Sequence, residues 1–284
     1  MSPNSRIWFV TGASSGFGRS ITELLLKRGD NVVATLRKPE ALSDLSARYS
    51  ADRLVLAKLD VTKRDEVVAA FAKAKEAFGR IDVVFNNAGQ YVVGEVEDLS
   101  EEIGRHLFDV NFWGAVNVTK EAVRFFREEN KPIGGRLLQV SSRMGIVGCP
   151  SSGYYVASKF ALEGLSESLI KELEPQWNIK VTIVEPGPFR TKIVQENLRE
   201  EPQHPAYSKP ESGSSRFRAF VHSSTFGGDA DKFVAAVVRL VDADEAPVRL
   251  PLHKNTIVSV REKAQSLNDD ADRYASWSDD LYFD

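Results

Sequence analysis

Apolar runs of strand length alternate with stretches of helical period along most of this chain, and that alternation restricts its fold more than any other feature. Ile7 to Val10 reads as a strand, followed by a glycine-rich turn and a helix from about Gly16 to Arg28 that Gly29 and Asp30 close. Asn31 to Leu36 is a second strand and Leu54 to Leu59 a third, with a short helix near Glu40 to Tyr49 between them. Val67, Val68, Phe71, Ala74 and Phe78 then recur at the spacing of one helix face, which ends at Gly79. Ile81 to Phe85, Arg136 to Val140 and Lys180 to Val184 continue the strands. Helices over about Ser100 to Glu129 and Ser152 to Pro175 lie between them. Strands separated by helices pair in parallel, because each crossover returns the chain to the same end of the sheet. The expected class is therefore α/β, a doubly wound parallel sheet with helices on both faces.

A chain of 284 residues suffices for one large domain over residues 1–284. A net charge of -3 gives no reason to expect nucleic acid or an anionic membrane as partner. No apolar run approaches the roughly 18 residues that span a bilayer. Cys149 is the only cysteine, so no intrachain disulfide forms, and the N-terminus lacks the pattern of a secretory signal. The expectation is a cytoplasmic protein. The four histidines show no ligand spacing, and no metal is expected. The rhythm breaks at about 193–228, a Pro-, Ser- and Glu-containing stretch read as a substrate lid. Beyond it, Asp229 to Val241 and Asn255 to Ser266 read as helices and Pro247 to Leu250 as a last strand. The acidic tail from about 268 to 284 carries Tyr274, Trp277, Leu281, Tyr282 and Phe283, which implies that it docks on its own body or on a neighbouring subunit.

The turn between the first strand and helix is Thr11-Gly12-Ala13-Ser14-Ser15-Gly16-Phe17-Gly18. Glycines there let backbone approach a pyrophosphate at a helix N-terminus, the dinucleotide site of a Rossmann-type fold. The second strand ends Thr35-Leu36-Arg37, without the acid that would bind an adenosine ribose and repel a 2′-phosphate. Arg37 offers a permanently charged fork suited to phosphate, and Ser15 a hydroxyl, so NADP (as NADPH) is the expected cofactor. The plainer reading of Arg37 is a solvated charge. Asp60 and Val61 follow the third strand, where a carboxylate reaches the adenine amino group or simply starts the next helix.

Tyr155 and Lys159 lie four apart, on one helix face, thirteen residues after Ser142. A phenol with a pKa near ~10 is a poor proton carrier at neutral pH, and bringing it to about 7 takes roughly 4 kcal/mol. A neighbouring ammonium works in that direction. Ser141 is an alternative to Ser142, and Tyr154 has Ser158, not lysine, one turn on.

These residues together resemble the short-chain dehydrogenases/reductases. The resemblance runs from residue 7 to about 191 and rests on the glycine turn, Asn86-Asn87-Ala88-Gly89, Asn111, Ser142, Tyr155 with Lys159, and Pro186-Gly187. Ala34 to Arg37 and Tyr155 to Leu165 are most similar to the branch of 17β-hydroxysteroid dehydrogenase type 1 and the retinol dehydrogenases. The resemblance implies oxidation of an alcohol or reduction of a carbonyl with NAD(P). Tyr155 would be the general acid/base, Ser142 the donor to the substrate oxygen, Lys159 the partner of the nicotinamide ribose, and Asn111 the end of a proton relay. Gly12, Ser14, Ser15, Gly16, Phe17, Gly18, Asn87, Ala88, Gly89, Pro186, Gly187, Phe189 and Thr191 would complete the cofactor site. Gln90, Tyr91, Val92, Met144, Gly148, Cys149, Pro150, Phe189 and the segment 193–228 are substrate-pocket candidates whose apolar and aromatic character points to a lipophilic small molecule. Arg143 reads as a solvated or salt-bridged charge, and Cys149 as a packing residue. Family members associate through their long helices, which implies a homodimer or homotetramer. An NAD-dependent enzyme and a non-catalytic dinucleotide-binding scaffold are the alternatives.

Overall fold

The structure is a computed structural model describing residues 5–190, 198–223, 227–243 and 245–283. Parallel strands in the order β3-β2-β1-β4-β6-β7-β9 form its main sheet. They are β1 (Ile7–Thr11), β2 (Asn31–Leu36), β3 (Leu54–Lys58), β4 (Val83–Asn86), β6 (Gly135–Val140), β7 (Ile179–Pro186) and β9 (Arg249–Leu252). The order reverses beside β1, between β1 and β4, which opens a crevice at the carboxyl ends of the strands.

Both sheet faces are covered, so the strands are apolar almost throughout. Along β1, Trp8 and Val10 point into one core layer with Leu25, Phe233 and Val237. Ile7 and Phe9 point into the other, where Phe9 stacks on Phe71 at 4.2 Å. Each fully buried ring of this kind contributes roughly 1.5–3 kcal/mol from apolar area alone. The first layer is closed by α1 (Gly16–Arg28) and Ala230–Asp242, the second by α2 (Arg64–Phe78) and Ala115–Glu128. Val67 is buried in α2, but Val68, expected on the same face, is 41% exposed. One residue turns a helix by about 100°, which carries Val68 past the edge of the stripe.

The expected helix from Ser100 to Glu129 is divided. Glu101–Phe108 (α3) passes into a π-helical segment, Asp109–Gly114, before Ala115–Glu128 (α4) resumes the ordinary helix. A π insertion displaces side chains around the axis and is frequent at functional sites. Here it carries Asn111. The Tyr155 helix, α5, spans Gly153–Glu172.

The stretch expected as a lid forms β8 (Leu198–Glu200) and α6 (Gly213–His222), as far as it is described. β8 pairs in parallel with β5 (Tyr91–Val93) in a small second sheet that the sequence reading did not foresee. Three-residue strands bury too little to show a period. After α7 (Ala230–Asp242), β9 begins two residues later than expected, and α8 (Lys254–Tyr274) runs past the expected end at Ser266. Nothing between Ser266 and Tyr274 breaks a helix. Trp277, Leu281 and Tyr282 are 75–82% exposed, so the tail does not dock on its own body. No helix among the described residues is long and apolar enough to cross a membrane.

Candidate active site

A cavity of about 350 Å³ occupies the crevice. Of the residues expected at the site, Gly12, Ser15, Gly16, Phe17, Asn87, Ala88, Gly89, Ser142, Tyr155, Lys159, Pro186, Gly187 and Phe189 line it together. They come from the ends of β1, β4, β6 and β7 and from α1 and α5. The sheet brings within one cavity residues far apart in the chain.

At the nucleotide end, Gly12 has φ +68°, and a Cβ there would lie 3.0 Å from Ala88 Cα. Gly18 does not line the cavity. A Cβ on Gly18 would sit 2.2 Å from the Gly12 carbonyl oxygen, so it is the close packing of α1 under the turn that demands glycine. Asn87 locks the turn from β4: its backbone N–H donates to Thr11 Oγ1 at 2.8 Å and its Nδ2 to Thr11 O at 2.9 Å. Asn86 instead points into the core, donating to Gln139 Oε1 at 2.8 Å and to Ala115 O at 3.0 Å. The first turn of α1 has no acidic residue, and Ser15, its N-cap, makes no side-chain capping bond. A positive helix end with free amide donors beside a glycine-walled gap fits a pyrophosphate.

Arg37 is exposed directly after β2, and Ser14 is exposed on the turn. Asp60 accepts from the Thr62 amide at 3.0 Å and the Thr62 hydroxyl at 2.8 Å. Burial disfavours its charge, yet those two bonds and the Arg37 cation hold its carboxyl below the usual value. Asp60 therefore does fix the turn that leads to α2. Val61 is buried, its methyl 2.6 Å from where a Cβ on Gly114 would be. Thr191 lies outside the described residues.

At the chemical end, Ser142 and Tyr155 both line the cavity, and the Ser142 hydroxyl accepts from the Met144 amide at 3.1 Å. Ser141 also borders the cavity, but its hydroxyl is engaged, donating to Glu163 Oε1 at 2.5 Å. Lys159 Nζ donates to Val140 O at 2.9 Å and lies 5.8 Å from the centre of the Tyr155 ring. Asn111 does not line the cavity. It grips the backbone of Gln90, with Oδ1 accepting from the Gln90 N–H at 2.8 Å and Nδ2 donating to Gln90 O at 2.9 Å, and it reaches Ser158 Oγ at 3.3 Å.

The electrostatic expectation needs correction. Burial pushes the Tyr155 phenol up to about 12, against the lowering effect of Ser142, and burial brings the Lys159 ammonium down to about 8. Desolvation is the largest influence on both groups. At neutral pH the phenol is a protonated donor held beside a second hydroxyl.

Over the chemical end the walls are apolar. Tyr91 meets Tyr155 edge to face at 4.6 Å, and Met144, Phe217, Phe220 and Val221 close the cavity from α6 and the turn after β6. Cys149 packs in the same cluster, and burial raises its thiol. Sequence reasoning had named the surrounding segment but not Phe217, Phe220, Val221 or Asn255, which also line the cavity. An apolar i, i+3, i+4 spacing at Phe217, Phe220 and Val221 was the available signal. Among the described residues no group of three or more His, Cys, Asp or Glu gathers as metal ligands.

A model of the short chain dehydrogenase family matches residues 6–202. An uncharacterized oxidoreductase of Schizosaccharomyces pombe is 36% identical over 261 residues, covering 92% of this chain and 86% of that protein. Human retinol dehydrogenase 8 is 37% identical over 199 residues, 68% of this chain and 62% of that protein. The crystal structure of a short-chain dehydrogenase from Streptomyces avermitilis superposes with a TM-score of 0.87 at 35% identity, covering 98% of each chain.

Proposed function

This chain belongs to the short-chain dehydrogenase family, and from that premise we propose that it is an NADP(H)-dependent oxidoreductase interconverting a carbonyl and an alcohol on a lipophilic small molecule. The observation that carries the reading is that Ser142, Tyr155 and Lys159 line one cavity whose other walls at that end are largely apolar. The bound nicotinamide would supply or accept the hydride. Everything else falls to the side chains. In the reducing direction Tyr155 gives its proton to the oxygen that gains charge, and Ser142 donates a hydrogen bond to the same oxygen. Lys159 keeps a positive charge near the phenolate that results. Asn111 fixes the Gln90 backbone at the cavity wall and reaches the helix of Tyr155 through Ser158, the position from which a proton relay would leave.

The residues fit a dinucleotide: Gly12, Ser15 and Gly16 at the end of α1 for the phosphates, Asn87 to Gly89 along the ribose, and Pro186, Gly187 and Phe189 over the nicotinamide. NADP is favoured over NAD because β2 ends without an acid and Arg37 stands exposed at its edge. The aromatic and aliphatic walls support a lipophilic substrate, and the name of human retinol dehydrogenase 8 agrees with that class. Residues 198–222 would serve as the cover of the substrate end. Trp113 in the π-helical segment and Phe160 on α5, 55% and 41% exposed, support self-association.

Single-turnover consumption of NADPH with a panel of apolar ketones and aldehydes tests the assignment. Tyr155→Phe should slow it by about a thousandfold while leaving NADPH affinity intact. Equal rates in wild type and variant would remove Tyr155 from the mechanism. Tight NADPH binding with no turnover across the panel would favour the scaffold reading.

A further inference from the structure

Directly behind the candidate active site lies a polar cluster that the proposed chemistry does not use. Glu163, one helical turn beyond Lys159 on α5, is 3% exposed. Its Oε1 accepts the Ser141 hydroxyl at 2.5 Å, and its Oε2 is paired with the Arg249 guanidinium. Arg249, on the edge strand β9, also binds Glu185 on β7 and, at 2.7 Å, Glu167 on α5. A Cβ on Gly145 would lie 2.1 Å from Glu163 Oε1 and 2.4 Å from Ser141 Oγ. The turn after β6 therefore keeps a gap through which this carboxylate reaches its serine. Ser141 sits between Val140, whose carbonyl receives Lys159, and Ser142, which lines the cavity with Tyr155.

We propose that Glu163 is a positioning residue for the site: it ties the helix of Tyr155 and Lys159 to the strand end of Ser142, and it holds an anion behind the Lys159 ammonium. The proposal rests on the functional reading above, since positioning matters only if those three groups do the chemistry. Burying a carboxylate costs several kcal/mol unless it is paired and hydrogen-bonded, so a cluster of this kind next to the site needs a reason beyond packing. The charged groups facing Glu163 are Lys159 and Glu167 from its own helix, Glu185 from β7 and Arg249 from β9. Arg143, on the intervening turn, is directed at Ser259 on α8. Burial pushes the Glu163 carboxyl up to about 7, with Glu185 adding to the rise and Arg249 and Ser141 opposing it. Its charge in turn raises Lys159 against the loss from burial. The ammonium is thus kept charged over a wider pH range by a neighbour whose own charge sets in near neutrality.

The test follows the side-chain carbons of Lys159 and Glu163 by NMR in isotope-labelled protein without nucleotide, so that it does not depend on turnover. Glu163→Gln should lower the midpoint of the Lys159 titration by about one pH unit, and Glu163→Asp should restore most of it. An unchanged midpoint in Glu163→Gln would overturn the proposal, as would an equal fall in Glu163→Asp. Linkage is reciprocal, so Lys159→Met should raise the Glu163 midpoint. That variant decides the question if Glu163→Gln does not fold, and an unmoved Glu163 midpoint would refute the coupling. On a carbonyl that the wild type reduces, the alkaline limb of kcat should shift in Glu163→Gln with the Lys159 midpoint while KM for NADPH holds. A uniform loss of kcat at every pH would mark a purely structural role and refute the proposal. Normal turnover in Tyr155→Phe with the titration shift intact would strike at the functional reading instead.

Discussion

The two ends of the cavity are built from different materials. The nucleotide end is mostly backbone: a glycine turn, the first turn of α1, and Asn87 fastened to Thr11 across the sheet. The substrate end is mostly side chain: Tyr91, Met144, Phe217, Phe220 and Val221, gathered from segments more than a hundred residues apart. What holds the substrate end together is a buried ion pair. Glu95, 4% exposed, accepts from Arg218 Nη2 at 2.9 Å and from Ser151 Oγ at 3.0 Å. Arg218 Nη1 continues to Glu200 Oε1 at 2.8 Å and to the Glu201 carbonyl at 2.9 Å. Burial opposes the Glu95 charge, but Arg218, Ser214 and Ser151 together hold the carboxyl down to about 2. A backbone site has one geometry whatever the ligand's shape. A side-chain site clamped at one point can change its walls while the clamp keeps their place.

The largest expected effect tests the clamp. Glu95→Ala removes one of the two carboxylates on the buried Arg218 guanidinium and leaves its Nη2 without an acceptor, a loss of about 1–3 kcal/mol. Helix α6 should become sensitive to proteolysis and KM for the carbonyl should rise at least tenfold, with NADPH affinity unchanged. A parallel loss of NADPH affinity would show that the two ends are not independent. Acid gives the same contrast in the wild type. A depressed carboxyl contributes stability that is complete above its unfolded value, near 4.5, and is lost as pH falls toward about 2. Proteolysis of residues 198–222 should therefore increase across that window.

Gly18→Ala probes the other end. The added methyl meets the Gly12 carbonyl at 2.2 Å, where backbone must yield, and overpacking of this kind costs about 1–3 kcal/mol. NADPH titration should show affinity falling about tenfold or more, and the Glu95 clamp should stay intact by proteolysis. The smallest effect is at Arg37, an exposed charge. Arg37→Ala should raise KM for NADPH about fivefold, near 1 kcal/mol, and leave NADH within twofold. Equal changes for both nucleotides would return Arg37 to a solvated surface role.

Sequence and structure agree best where function depends on neighbours in the chain. The turn from Gly12 to Gly18 opens α1 because strand, turn and helix are contiguous, and a close contact between two residues six apart leaves a glycine signature. Tyr155 and Lys159 share a face because a helix repeats every 3.6 residues. Spacing to Tyr155 favours Ser142 over Ser141, and the structure adds that the Ser141 hydroxyl is taken up by Glu163. The π segment at Asn111 left no trace in a pattern that read as one helix. Phe217 and Phe220 are ordinary apolar residues whose role comes from the element they face.

The sequence by itself determined the parallel sheet, its two covered faces, the glycine turn and the shared helix face of Tyr155 and Lys159, because each follows from local period, backbone freedom or one-turn spacing. Only the tertiary structure decided that burial, not the ammonium, governs the Tyr155 phenol, and that Glu163, Arg249 and Glu185 converge behind Lys159. Desolvation and charge pairing depend on what surrounds a group in space. For these residues the surroundings come from strands and helices that the chain reaches much later.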